Sequence, residues 1–180
     1  MDNPYQPPKN VGRQEPIGDE RLTIRPRRSF LGYAALSGCG ALPRAKKEGR
    51  LFCESLADLY NLPRIPKAAA VVSLQLGTAV PLLNRRTRAI RVDDIGFAFI
   101  EADKLRFLGD AVSINLPRSD VQSVEASSIW PGQRLRIQLH NEIACQARFT
   151  LFESSGFLAG FGQRARAFRE SLTRWFSQAT

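Results

Sequence analysis

The runs Gly96-Phe-Ala-Phe-Ile-Glu101, Lys104-Leu-Arg-Phe-Leu-Gly109, Ala111-Val-Ser-Ile-Asn-Leu-Pro117, Asp120-Val-Gln-Ser-Val-Glu-Ala126, Arg134-Leu-Arg-Ile-Gln-Leu-His140 and Gln146-Ala-Arg-Phe-Thr-Leu-Phe152 decide the fold class. Each is short, alternating or rich in β-branched and aromatic residues, and each ends at a turn residue or a charge. Period two places successive side chains on opposite faces of a strand, so these runs predict an antiparallel, β-rich domain. Leu135, Ile137 and Leu139 alternate strictly with Arg134, Arg136 and Gln138, giving one dry and one wet face. Glu101–Lys104 predicts a four-residue hairpin loop, and Ser127–Gln133, with Pro131–Gly132, a longer one.

Downstream the period changes. Phe157, Phe161, Ala165, Phe168, Leu172, Trp175 and Phe176 recur at helical spacing, which predicts a C-terminal amphipathic helix over 157–178. Gly160 and Gly162 weaken its first turn by ~1 kcal/mol each relative to Ala, so its firm part begins near Gly162. Upstream, Val71, Val72, Leu74 and Leu76 read as a buried strand closed by Gly77.

The N-terminal third is less regular. Residues 1–20 hold four prolines and both charge signs, which predicts a mobile tail. Residues 21–67 read as a loop-rich segment with an edge strand at Arg21–Arg28 and one short helix over 49–61, ended by Leu62–Pro63. The β-rich domain then spans 68–180.

With 43% apolar and 24% charged residues the chain is globular, and its 180 residues suffice for one ordinary core. A net charge of +9 favours a polyanionic partner: nucleic acid, an anionic membrane surface or an acidic protein. That charge is spread along the chain, with no run of the kind that forms a basic arm. Three cysteines, Cys39, Cys53 and Cys145, fit neither a CxxC pair nor a disulfide framework and point to a reducing compartment, with a Cys39–Cys53 bridge as the alternative. No secretory leader opens the sequence. Ala68–Asn84 is uncharged but falls short of the ~20 apolar residues a membrane span needs, and it contains Gln75, Gly77, Thr78 and Pro81. A cytoplasmic protein, with membrane association as an option, is therefore expected.

Nothing in the sequence sets up catalysis. His140 is the sole histidine, so the usual His or Cys zinc site cannot be built. No nucleophile elbow, P-loop or dinucleotide fingerprint occurs. Asp93–Asp94 reads as a solvated turn. The expectation is a non-enzymatic protein that needs no cofactor and no metal.

Short antiparallel strands closed by one amphipathic C-terminal helix, as read over roughly 85–180, resemble a pleckstrin-homology-like barrel or roll. Leu105–Val124 looks like the middle of that family, and Trp175 is similar in place to the tryptophan that plugs its barrel. The resemblance implies a binding module that associates with proteins or with anionic membrane surfaces. By position it also implies that Arg88, Arg91, Lys104 and Arg106 are candidates for binding anionic headgroups.

The basic residues themselves give the candidate surface: Arg85, Arg86, Arg88 and Arg91 before the strands, Lys104 and Arg106 in the hairpin, and Arg164, Arg166, Arg169 and Arg174 on the last helix. Phosphate contacts from such side chains are sequence-independent, so a small basic β-domain that binds nucleic acid non-specifically is the alternative.

Overall fold

Segments rich in Val, Ile, Leu and Phe at period two fold as strands, and the two stretches of helical period fold as helices. The structure, a computed structural model, describes residues 17–25, 43–77, 93–129, 132–143, 146–154 and 162–177. In chain order these are β1 (Ile17–Asp19), β2 (Leu22–Ile24), α1 (Pro43–Leu59), β3 (Ala70–Leu76), β4 (Asp94–Glu101), β5 (Lys104–Gly109) and β6 (Val112–Pro117). A single 3-10 turn, Arg118–Asp120, leads to β7 (Val121–Ile129), β8 (Gly132–Ile143), β9 (Gln146–Ser154) and α2 (Gly162–Ser177).

All pairings are antiparallel, and the spatial order is β1-β2-β6-β5-β4-β3-β9-β8-β7. Two meanders, β3–β6 and β7–β9, are joined where the first strand of one meets the last strand of the other, with Leu74 opposite Leu151. The mainly β class with a C-terminal helix is as expected. Closure is not: the sheet is open, with β1 and β7 as its two edges. Among the described residues β6 lies between β5 and β2, and β7 pairs with β8 alone, so the hydrogen-bonded ladder does not run around a barrel.

The sheet is buried on two faces. On the inner face Leu105, Phe107, Ile114 and Leu116 from one meander meet Leu135, Ile137, Phe149 and Leu151 from the other, under Phe168, Leu172 and Trp175 of α2. On the outer face Phe52, Cys53 and Leu56 of α1 pack on Ile95, Phe97, Phe99 and Leu108. Cys53 is buried in this outer core, 3% exposed. The phenylalanines therefore serve two cores: Phe97 and Phe99 face α1, whereas Phe107 and Phe149 face α2.

Helix α1 begins earlier than its apolar pattern suggested and stops where expected. Asn61 lies at φ 50, the Leu62 amide donates to the Ala57 carbonyl at 2.9 Å and the Asn61 amide to Asp58 at 3.1 Å. This is a Schellman cap, which satisfies the carbonyls the helix leaves open. The N-terminal segment also enters the sheet: β2 pairs with β6, and Leu22 is fully buried in the inner core. Residues 1–16 of the expected tail lie outside the described residues.

The Glu101–Lys104 loop is tighter than its sequence suggested. Glu101 pairs with Lys104, leaving Ala102 and Asp103 at φ 46 and 62 as a two-residue turn of type I′ sign. The turn between β5 and β6 is built around Asp94. Its Oδ2 accepts from the amides of Ala111 (2.9 Å) and Val112 (2.6 Å), and its Oδ1 from Ile95 (2.8 Å). The Tyr60 hydroxyl donates to the Gly109 carbonyl at 2.7 Å, and the Arg25 amide to Ala111 at 2.7 Å. Three segments thus satisfy one turn. Asp94 is fully buried, so the expectation of a solvated Asp93–Asp94 turn is corrected; Asp93 Oδ2 likewise accepts from the Leu76 amide at 2.8 Å. Two glycines make room: a Cβ on Gly109 would stand 2.1 Å from Asp94 Oδ2, and one on Gly96 2.2 Å from the Leu108 carbonyl.

Candidate functional site

The described cationic side chains of the β4–β5 hairpin, of α2 and of β8–β9 fall on three surfaces, each set by strand parity or helix phase. At the β4–β5 tip, Lys104 is exposed opposite Glu101. Arg106 points to the outer face with Leu108, where it pairs with Glu101 and lies over the Phe99 ring, 5.7 Å from its centroid. Its charge is therefore answered within the hairpin. A headgroup meeting it would displace an ion pair at a half-exposed site, which offers little electrostatic gain.

On α2, Phe168, Leu172 and Trp175 turn inward, and the basic residues take the remaining faces. Arg166 is largely exposed and pairs with Glu170 one turn on, at 2.9 Å. Arg169 is half-buried, and Arg174 is exposed. Arg164 belongs to the helix, but its side chain lies outside the described residues. Because α2 covers the inner face of the sheet and Arg106 projects from the outer face, these two candidate groups do not converge. Arg85, Arg86, Arg88 and Arg91 lie outside the described residues; the segment that carries them leaves β3 at Gly77 and returns at Asp93.

The third surface is the outer face of β7–β9, beyond the reach of α1. Arg134, Arg136 and Gln138 of β8 lie beside Phe152, Thr150 and Arg148 of β9 in register. Arg134 Nε donates to Ser127 Oγ at 3.2 Å, and Arg136 meets Glu125 at 3.2 Å with 39% of its side chain exposed. His140 is exposed at the far end of β8. Strict alternation made this face legible as wet, but not as basic: Arg148 joins it only through the β8–β9 register, which a single sequence does not reveal. It presents three partly buried arginines, Arg134, Arg136 and Arg148, the first two already met by Ser127 and Glu125, an arrangement suited to surface contact.

Arg118 was not singled out by its sequence context, yet it fixes how α2 sits. Its Nη1 donates to the Val121 carbonyl at 2.8 Å and its Nη2 to the Phe176 carbonyl at 3.2 Å, while its guanidinium lies 4.0 Å from the Phe176 ring centroid. A cation on the last carbonyls of a helix satisfies open acceptors and meets the negative end of the helix dipole. Among the described residues, no group of three or more His, Cys, Asp or Glu side chains is placed to hold a metal ion, and no helix is long and apolar enough to cross a membrane. No family model matches the sequence, and a search of curated proteins finds none similar to it.

Proposed function

We propose that this chain is a non-enzymatic binding module of pleckstrin-homology-like plan, acting in the cytoplasm by association with a protein partner or an anionic membrane surface. One observation carries the reading. A four-strand meander and a three-strand meander meet through their first and last strands over one inner core, and a C-terminal helix seals that core with Phe168, Leu172 and Trp175. In this reading the segment between the first two strands of the larger meander, with Arg85, Arg86, Arg88 and Arg91, is the anion-facing element, and the α2 arginines add long-range attraction. No cofactor or metal takes part.

The outer face of β8–β9 favours a second reading, since Arg134, Arg136 and Arg148 share it: non-specific contact with nucleic acid phosphates. Co-sedimentation with phosphatidylserine vesicles, run beside fluorescence anisotropy with single-stranded and duplex oligonucleotides, separates the two. The module reading expects vesicle binding that weakens with salt and is lost when Arg85, Arg86, Arg88 and Arg91 are together replaced by Ser, or else no polyanion binding and a protein partner. Oligonucleotide binding alone, with a steep salt slope, overturns it in favour of the second.

A further inference from the structure

Strand β7 is the outermost strand of the larger edge of the sheet and runs for nine residues, against three for β1 at the other edge. In an antiparallel ladder alternate residues direct their N–H and C=O groups away from the paired neighbour. Along Ser123–Ile129 these groups face no strand among the described residues. Monomeric proteins blunt such edges with Lys, Pro, inward charges or bulges. Val121–Ile129 contains no Lys, Arg or Pro, and its one charge, Glu125, is met by Arg136 of its own sheet. Its register shift lies at the very start, between Val121 and Ser123, so the rest pairs residue by residue with β8.

We propose that β7 is the seam of a symmetric dimer, in which two copies pair β7 to β7 antiparallel about Ala126 and continue the sheet across the twofold axis. The side chains select this register. A twofold through Glu125 sets one carboxylate directly opposite the other, which is unfavourable. A twofold through Val124 drives the pairing into the irregular start of the strand. A twofold through Ala126 uses only regular strand, places a small, exposed side chain on the axis, and sets Glu125 opposite Ser127 of the second copy. Ser127 Oγ already accepts a hydrogen bond from Arg134 Nε, so its own hydrogen is free to be donated to the facing Glu125 carboxylate, once on each side of the axis. The interface is isologous, as closed dimers require.

Sedimentation velocity on the full chain over a range of micromolar concentrations tests this, with Ala126→Lys, Ala126→Glu and their equimolar mixture. Wild type should dimerise. Each variant, placing like charges face to face on the axis, should weaken the dimer about tenfold or more, and the mixture should regain a heterodimer through the opposite pair. Amide exchange needs no variant: protection within 123–129, and not in β1, should rise with protein concentration. A wild-type chain that stays monomeric, or an Ala126→Lys chain that dimerises as tightly as wild type, overturns the proposal.

Discussion

Asp94 does at one position what a longer turn sequence does elsewhere. Its two oxygens collect the amides of Ile95, Ala111 and Val112 in a site closed to water, where unmet donors are costly. Asp94→Ala should lower stability by about 3–5 kcal/mol, because three buried amides lose their side-chain acceptor and the space left is polar. Urea unfolding followed by circular dichroism measures it, and a loss below about 1 kcal/mol would show that water replaces the carboxylate. A sequence reader sees two adjacent acids before a strand and reads a solvated turn, since carboxylates are rarely buried. What buries Asp94 is a partner turn seventeen residues away, reached through the close approach that Gly96 and Gly109 permit. Neither the distance nor the glycines' use is local information.

At the scale of elements, period proved the durable signal. Strands β3 to β6 and β9 lie where their runs placed them, and α2 starts at Gly162, where the weakened first turn ends. But β7 and β8 run on to Ile129 and from Gly132, pairing Ser127 with Arg134 and Ser128 with Gln133 inside what read as a Ser127–Gln133 loop. Face was harder. A sheet covered on both sides carries apolar residues at both parities, so Phe97 and Phe99 cannot be told from Phe107 and Phe149 until α1 is placed. The candidate arginines suffered from the same gap: Arg106 and the α2 set are legible as cations, but not as occupants of opposite sides. The seat of α2 is testable through Arg118. Arg118→Ala removes two hydrogen bonds to carbonyls and a ring contact, and should cost about 1–2 kcal/mol. Its signature is faster amide exchange in the last turn of α2 with β4 and β5 unchanged; uniform acceleration across the sheet would mean that the side chain supports the whole core instead.

For the molecule as a whole, the N-terminal third is part of the architecture. Helix α1 covers the outer face of β4 and β5, Tyr60 ties its end to the β5–β6 turn, and β2 extends the sheet beside β6. A chain beginning at residue 68 should expose Ile95, Phe97, Phe99 and Leu108 as one apolar patch, bind a hydrophobic dye and self-associate. A truncated chain that stays monodisperse, excludes dye and unfolds as cooperatively as the full one would show that the β-rich part stands alone.

The junction between β3 and β9 also bears on how the chain folds. Hairpins β4–β5, β5–β6, β7–β8 and β8–β9 each close short loops and should form early. Val72 meets Glu153, and Leu22 meets Ile114, across long stretches of chain, so the entropy of long-range closure falls on these two pairings. Before they join, β3 and β9 are two exposed, apolar edges. The entropy of closure and the hazard of misassembly therefore meet at the strand pair that makes two meanders one sheet.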